Sequence, residues 1–473
     1  MNWQVKNLPY NLKIPYPSVK ATKKHIFRKK ALIILSFSFF ALFSQPLMAQ
    51  DSAYNGLPER WSLQDCFNYA TINNIQLQTL AKDVDINYQS LLQAKAARLP
   101  NLTASTTQNF TNSKNTNPVV GGFQTQSNFA SNYSINSSLT LYHGGFIKNN
   151  IQAQQLNIDA ANLNVQEAQN NITIQITQAY LNILLSKENI VALQNVIQTS
   201  QAQYDNGKIL FDAGSIAKKD LVQLEATLAT DKYNLVIAQN QLRQNTLTLK
   251  QILELPSPYN LQVPDSISIA IPLEATDLQT VQDSALQNRP EVKSSEIALK
   301  QSDLQLKQYY TDTKPTISAG ASLNSGYSDG QKISYPNQLN NNFYQQVGLT
   351  MSIPILNNRT NKTNIEKSKI EIDQSKLALK NTKLVLSQEV EQAYISLLNA
   401  KGQYDAAQVQ FSANEENYRI ANEQLKLGAL NTVDFLVQKN LYVQAQQALI
   451  QAKYSVILNH GIYEFYMGEA ITL

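Results

Sequence analysis

The chain contains one long internal repeat, in which equivalent residues stand 214 or 215 positions apart. The segment Gln178-Ala179-Tyr180 returns as Gln392-Ala393-Tyr394. Other equivalent pairs are Gly214 and Gly428, Asp220 and Asp434, Ala70 and Ala285, and Pro100 and Pro315. The interval is far longer than the roughly 20–50 residues of a solenoid repeat, which argues against a short-repeat array. A near-constant offset over most of the chain predicts two copies of a whole structural unit.

The first 49 residues have the composition of a secretory signal peptide. They contain eight Lys or Arg and no acid, and the apolar run 31–43 is too short to cross a bilayer comfortably. We predict cleavage after Ala49; the alternative is an uncleaved N-terminal anchor. All 35 acidic residues lie after this segment, where only 31 basic residues remain. That negative balance argues against a nucleic-acid partner.

The residues suited to catalysis or metal binding form no motif. The chain has three His and one Cys. His25 lies in the leader, and His143, His460 and Cys66 are far apart in the sequence. No spacing fits a metal site or a nucleophile with its base, and there is no glycine-rich phosphate loop. We therefore predict no enzyme activity and no cofactor, with His143 as a turn residue and Cys66 as a packing residue.

Each repeat contains helical stretches on either side of a segment with strand character. The predicted helices are 62–99, 146–213 and 216–254 in the first half, and 277–314, 360–427 and a last helix to about 467 in the second. At about 1.5 Å per residue, the longest helix of each half is roughly 100 Å long. The predicted organisation is a first repeat at 50–253, a proline-rich linker at 254–276 and a second repeat at 277–473.

Residues 100–143 and 315–356 alternate between apolar and polar side chains, which predicts a β-hairpin in each repeat. One strand places Tyr133, Ile135 and Leu139 on its apolar face and Asn132, Ser134 and Asn136 on its polar face. We expect loops rich in Asn and Ser at about 112–128 and 328–342. Strands with these two faces fit between hydrocarbon and a water-filled lumen; a soluble half-buried sheet is the alternative.

Four strands are too few to close a membrane barrel, for which about eight is the smallest number known. One chain therefore has to associate with further copies, of which two would supply eight strands and three would supply twelve. The long helices are too polar and too long for a hydrocarbon layer about 30 Å thick. The sequence thus predicts a β-barrel in an outer membrane, continued by a tube of helices across the periplasm. A solvated coiled-coil rod is the alternative for the helices, because heptad-like spacing fits both.

The chain resembles the TolC-like outer membrane efflux proteins over nearly all of its mature length. The resemblance rests on the tandem repeat, the helix–Pro–strand junctions, the Gln-Ala-Tyr triplets and the segments 141–145, 211–221 and 427–436. It implies a mainly helical homotrimer with a twelve-stranded β-barrel and a twelve-helix α-barrel. Such a protein is the passive exit duct of a tripartite export system in the outer membrane of a Gram-negative-type bacterium. The implied partners are outer-membrane lipid, a periplasmic adaptor and an inner-membrane pump that supplies the energy.

The resemblance assigns roles to the turns at the two repeated glycines, which form the periplasmic end of such ducts. Adaptor contact is implied for Gly214, Ser215 and Ile216 in the first repeat, and for Gly428, Ala429 and Leu430 in the second. The acids six residues after each glycine, Asp220 and Asp434, stand where relatives constrict the pore.

The chain departs from the family pattern near those acids. Gln223 and Val437 occupy the positions of a second pore-lining carboxylate, and Leu425 and Leu430 occupy those of the group that holds the closed state. A strongly charged, salt-bridged gate is therefore not implied. The same residues have structural interpretations too: the glycines permit positive φ at a helix end, and Asp434, three residues after Asn431, fits a capping box.

Two other functional classes compete with an exit duct. A surface-anchored coiled-coil adhesin or scaffold needs long helices, but it needs neither an open lumen nor duplicated hairpins. A soluble periplasmic helical protein would be recovered without membranes or detergent. The hairpins at 100–143 and 315–356 favour the duct over both.

Overall fold

Two series of helices and strands make up the described part of the chain. The computed structural model describes residues 57–116, 121–265 and 275–471. The first series is α1 (Leu63–Asn73), α2 (Ile75–Ala96), β1 (Thr103–Thr116), β2 (Phe123–His143), α3 (Phe146–Asp212) and α4 (Lys218–Ile252). The second is α5 (Leu278–Asn288), α6 (Pro290–Thr311), β3 (Thr316–Ser328), α7 (Tyr335–Asn341), β4 (Tyr344–Ser352), α8 (Thr360–Lys426) and α9 (Thr432–Met467). The predicted signal peptide and its cleavage point after Ala49 lie outside the described residues.

The long helices α3 and α8 have 67 residues each, as the repeat predicts. At about 1.5 Å per residue each is roughly 100 Å long. Their apolar stripes are buried at equivalent positions, for example Ile176 in α3 and Val390 in α8, both 0% exposed. Within 57–116, 121–265 and 275–471, no helix combines the length and the hydropathy needed to span a membrane.

The first predicted helix of each repeat is broken in two, which corrects the continuous helices expected over 62–99 and 277–314. Asn74 is extended, with φ −63° and ψ 125°, and its side chain accepts a bond from the backbone N–H of Leu77. The Glu254 carboxylate in turn accepts bonds of 3.2 Å from Asn74 Nδ2 and 2.9 Å from Ile75 N. In the second repeat Arg289 is extended because Pro290 follows it. The first break depends on a partner 180 residues away, which local periodicity does not reveal.

The four strands form one antiparallel sheet in the order β1-β2-β3-β4. The register places Ile135 opposite both Ala104 and Leu323, so the predicted apolar faces of three strands coincide. Leu323 is in turn opposite Gln345, two residues from Val347, which extends the same face onto β4. Val347 is 84% exposed. Among the described residues, the outer strands β1 and β4 each pair with one neighbouring strand.

The hairpin tips differ from the predicted loops. The strands β1 and β2 continue through most of 112–128, because their ladder extends to the pair Thr116 and Phe123. The predicted loop at 328–342 contains α7, which packs on the apolar face of the sheet. Tyr335 of α7 lies 2.8 Å, hydroxyl to hydroxyl, from Tyr133. Gln338 is 1% exposed because its amide bonds to the backbone N–H and C=O of Ser328.

At the junction between β2 and α3, His143 is the last residue of β2 and not the predicted turn residue, because its pairing with Thr316 extends the strand to the turn at Gly144-Gly145. A register shift between Thr140 and Tyr142 brings Tyr142, and not Leu141, opposite Ile317. The His143 ring then stacks on Phe146 with 4.9 Å between the ring centroids. The backbone reverses through Gly144 and Gly145, both with positive φ. At Gly144 a Cβ would lie 3.0 Å from the Thr311 carbonyl oxygen, so only glycine fits this close approach.

Candidate functional site

The two helical turns at the repeated glycines have the same backbone geometry. Gly214 has φ +74° and Gly428 has φ +71°. After α3, the N–H of Ser215 donates a 2.8 Å bond to the carbonyl of Leu210. After α8, the N–H of Ala429 donates a 2.8 Å bond to the carbonyl of Gln424. Each helix therefore ends in a Schellman motif, in which a left-handed residue satisfies the last carbonyl groups.

The glycines are required by this backbone and not by crowding. A Cβ built at either Gly214 or Gly428 would meet nothing within 4 Å. The positive φ is nevertheless unfavourable for any residue that carries a Cβ. Open space around both turns means that their backbone is accessible to another molecule. The geometry thus combines a fixed shape with an uncovered surface.

The helices that follow the turns begin differently. At the start of α4, the N-cap residue Ala217 has no side-chain capping bond, and Asp220 lies in the first turn. At the start of α9, the Asn431 side chain accepts a 2.9 Å bond from the N–H of Asp434 and donates a 2.7 Å bond to its carboxylate. Asn431 is therefore the N-cap, but the full capping box is not formed, because the Asp434 carboxylate accepts from the Asn431 side chain and not from its backbone N–H. The acid in each first turn also interacts favourably with the helix dipole.

The six residues of the predicted adaptor contact divide into two groups by exposure. Gly214, Ser215, Gly428 and Ala429 are exposed. Ile216 and Leu430 are only half-buried and lie against the interior of their own hairpins. Leu430 packs on a small core of Ala421, Phe435 and Leu436 between α8 and α9. The side chains of Ile216 and Leu430 therefore help to fix the shape of each turn.

Two exposed apolar residues at the turns were not predicted as site residues. Leu427, immediately before Gly428, is 82% exposed, and Ile209 near the end of α3 is 67% exposed. The sequence signal for Leu427 was its position immediately before the turn glycine. These side chains enlarge the apolar part of the surface at the turns.

The charges near the turns also differ between the repeats. Near the α3–α4 turn, Lys208, Lys218 and Lys219 are exposed. Near the α8–α9 turn, Lys426 pairs with Glu423 at 2.8 Å. The hydrogen bond and charge of Lys426 lower the pKa of the Glu423 carboxyl below its usual range. The first turn thus presents three exposed lysines together with the exposed Asp212, whereas at the second turn Lys426 is paired with Glu423.

One group of buried charges joins the two repeats behind the turns, and sequence reasoning missed it. Lys439 of α9 is 2% exposed, and its ammonium lies 2.6 Å from a carboxylate oxygen of Asp231 in α4. The same ammonium donates a 2.5 Å bond to the hydroxyl of Ser200 in α3. In the described ranges, no group of three or more His, Cys, Asp and Glu side chains is placed to hold a metal ion.

Comparisons with known proteins agree on one family. The profile described as outer membrane efflux protein matches residues 67–254 and 281–459, one segment in each repeat. Among curated proteins, the chain is similar to toxin and drug export protein A of Aggregatibacter actinomycetemcomitans, with 26% identity over 63% of each chain. It is also similar to outer membrane efflux protein BepC of Brucella suis, with 23% identity over 82% of this chain and 80% of the relative. Among solved structures, the Campylobacter jejuni CmeC outer membrane channel matches with a TM-score of 0.72, 20% identity and 87% coverage of each chain.

These matches confirm the predicted fold class, with its duplicated, mainly helical unit and four-stranded sheet. They also confirm the predicted family and location, and proteins of this family are channels and not enzymes. The matched segments cover well over half of the chain, one in each half. The chain therefore belongs to the outer membrane efflux protein family and is an outer-membrane efflux channel whose helices extend into the periplasm.

Proposed function

We propose that three copies of this chain form one exit duct, with a twelve-stranded barrel in the membrane and a twelve-helix tube below it. The main support is the open four-stranded sheet. In the part of the chain that the structure describes, its edge strands β1 and β4 each have a neighbour on one side and none on the other. Unpaired backbone edges are costly in hydrocarbon unless further copies close the barrel, whereas the exposed apolar face is favourable against lipid. Val347, Leu349 and Met351, all exposed on β4, supply part of that face.

The proposed docking surface for the adaptor is the pair of turns at Gly214 and Gly428. Their backbone is fixed by Schellman hydrogen bonds and is open to the surroundings. Exposed Ser215 and Ala429 add small side chains, and Leu427 adds an apolar one. A surface that is rigid before binding loses little conformational entropy when a partner docks. The partners are a periplasmic adaptor and an inner-membrane pump, which supplies the energy for transport.

We assign the narrowest part of the duct to the first turns of α4 and α9. Asp434 is exposed in the single chain, so in a trimer its three carboxylates would form a ring of negative charge. Asp220 is half-buried and is the weaker contributor. The bond that the Asn431 amide nitrogen donates to the Asp434 carboxylate orients this group without neutralising it. Rings of carboxylates favour cations in narrow pores.

The first experiment compares export with trimer assembly. Replacing Gly214 or Gly428 by Trp should abolish export in cells while leaving trimers intact on native gels. The physical reason is that a bulky group blocks the docking surface, since no neighbouring atom of the same chain is displaced. Loss of the trimer together with loss of export would contradict the docking role. It would show instead that the two glycines have a structural role.

The second experiment tests for a conducting lumen. Purified trimers in planar bilayers should conduct ions, and Asp434→Ala should lower the preference for cations. Asp83→Ala removes an exposed carboxylate from α2 and serves as the matched control. Unchanged ion selectivity in Asp434→Ala would remove this residue from the pore. Absence of any conductance would favour the adhesin or scaffold alternative.

A further inference from the structure

The buried group of Lys439, Asp231 and Ser200 fastens three helices from two repeats. The Lys439 ammonium contacts the Asp231 carboxylate at 2.6 Å and the Ser200 hydroxyl at 2.5 Å. The Ser200 hydroxyl also lies 2.5 Å from the same Asp231 oxygen. Each member of this trio thus contacts the other two. The trio connects the α3–α4 hairpin of the first repeat with α9 of the second.

Such a trio is a poor way to gain stability but a good way to fix position. Removing two charges from water costs about as much free energy as their attraction returns, and apolar replacements are often as stable. Apolar contacts tolerate sliding of one helix along another. A short, directional ion pair with one hydroxyl acceptor does not tolerate such sliding, because its energy changes when the contact distances change by a few tenths of an ångström. The trio therefore restricts the position of α9 relative to α3 and α4.

The trio lies close behind the turns. Lys439 is seven residues after Thr432, the first residue of α9, which corresponds to roughly 10 Å along the helix. Ser200 is twelve residues before Asp212, the last residue of α3, or roughly 18 Å. The trio is therefore nearer to the turns than to the far ends of these helices.

Between the trio and the turns, each hairpin has its own packing. In the α8–α9 hairpin, Phe435 and Leu436 pack with Ala421. In the α3–α4 hairpin, Gly207 allows Leu224 to approach so closely that a Cβ on Gly207 would lie 2.6 Å from Leu224 Cδ1. Each turn is thus held together internally, so the two turns can shift relative to each other as units. The trio is a buried, directional link at the base of both units.

We propose that Lys439 is a positioning residue that holds α9, and with it Asp434, at a fixed place relative to the α3–α4 hairpin. Asp434 is five residues nearer the turn on the same helix. A shift of α9 would therefore move the Asp434 carboxylate in the duct. This proposal rests on the proposed function, because it concerns the constriction assigned there.

A second ion pair between α9 and the first repeat, this time to α3, provides the control. The Lys453 ammonium of α9 lies 2.8 Å from the Glu188 carboxylate of α3, which also accepts a 2.8 Å bond from the Tyr454 hydroxyl. Lys453 is 14 residues beyond Lys439, or about 21 Å further from the turn. If position near the turn matters, removing this pair should not affect the constriction.

The test compares two proteins. One is the double variant that carries both Lys439→Met and Asp231→Leu, and the other is the control variant Lys453→Met. Spin labels at Ser215→Cys and Ala429→Cys, in a Cys66→Ala background, report the distance between the two turns. Labelled chains are diluted with unlabelled chains so that each trimer carries one labelled copy. The expected result for the double variant is a broader distance distribution and a higher mean single-channel conductance, with the melting temperature of the trimer unchanged. Lys453→Met should leave the distance and the conductance unchanged.

Three outcomes would overturn the proposal. The first is an unchanged distance distribution and conductance in the double variant. The second is the same change in Lys453→Met. The third is loss of the trimer in two proteins: the double variant Lys439→Met with Asp231→Leu, and the neutral hydrogen-bonding pair Lys439→Gln with Asp231→Asn. That result would make the trio a folding element. Failure of the proposed function is recognised by a different experiment. Unchanged ion selectivity in Asp434→Ala would remove Asp434 from the pore, but the distance between the two turns would still report whether the trio positions α9.

Discussion

The hydroxyl of Tyr463 donates a 2.8 Å hydrogen bond to the carbonyl oxygen of Thr276. In the first repeat, the Tyr180 hydroxyl makes the matching 3.1 Å bond to the carbonyl of Trp61. Trp61 and Thr276 are equivalent, since each precedes the N-cap residue of the first helix in its repeat. The two tyrosines are not equivalent, because Tyr180 is in α3 and Tyr463 is in α9. The repeat therefore preserves the contact but supplies it from different helices.

We predict that the bond of Tyr463 makes the trimer sensitive to alkali. Burial, and then the nearby Tyr394, raise the pKa of Tyr463 from 10.0 to about 12. The folded state holds the Tyr463 proton more tightly than the unfolded state does. The protonated Tyr463 hydroxyl therefore contributes its full stabilisation below pH 10, and this contribution is lost as the pH rises through about 12. In Tyr463→Phe, the melting temperature should fall less steeply between these pH values than in the wild type.

At neutral pH the same variant should be less stable by about 1 kcal/mol, because the Thr276 carbonyl loses its partner. Tyr233→Phe is the matched control, since the Tyr233 side chain is exposed. An equal slope against pH in Tyr463→Phe and the wild type would contradict the pKa assignment.

The unequal starts of α4 and α9 lead to opposite predictions for the two N-cap residues. Asn431→Ala removes the side chain that bonds to the N–H of Asp434, and should destabilise this end of α9 by about 1 kcal/mol. Ala217 has extended backbone geometry but no capping side chain, so Ala217→Ser should stabilise the start of α4 by a similar amount. Hydrogen exchange of the first turns of both helices measures the two effects. Slower exchange in Asn431→Ala, or faster exchange in Ala217→Ser, would contradict the capping assignment.

Two glycines near the turns are predicted to resist substitution for different reasons. Gly428→Ala should cost about 1–2 kcal/mol through its positive φ alone, and Gly428→Asn should cost less. Gly207→Ala should destabilise through contact with Leu224. Shortening this neighbour in Gly207→Ala with Leu224→Ala should therefore recover part of the loss. Thermal unfolding of these four variants, and of Gly428→Ala combined with Leu224→Ala as a fifth, measures these costs. Recovery of stability in the fifth variant would contradict the distinction.

Cys66 is predicted to be unreactive in the folded protein. It is fully buried, and burial raises the pKa of its thiol from 9.0 to about 12. Since the thiolate is the reactive form, a maleimide at pH 7 should label Cys66 only after denaturation. Ser215→Cys is the positive control, because position 215 is exposed. Rapid labelling of Cys66 in native trimers would show that α1 opens or is not packed in this way.

The sequence by itself determined the duplicated unit, the two long helices, the glycine turns and the alternating faces of the strands. These features depend on local rules: helical and strand periodicity, and the need for glycine at positive φ. The break before Pro290 follows a local rule as well and was readable from the sequence. The break at Asn74 was not, because its bonding partner Glu254 is 180 residues away.

Only the tertiary structure decided which polar residues are buried together. Ser200, Asp231 and Lys439 lie on three different helices, and in the sequence each one alone reads as a solvent-exposed polar side chain. The packing of α9 on α3 and α4 removes them from water, and they then require one another as partners. The physical reason is range: periodicity reports the neighbours within a few turns of one helix, whereas the burial of a charge depends on helices up to 239 residues apart.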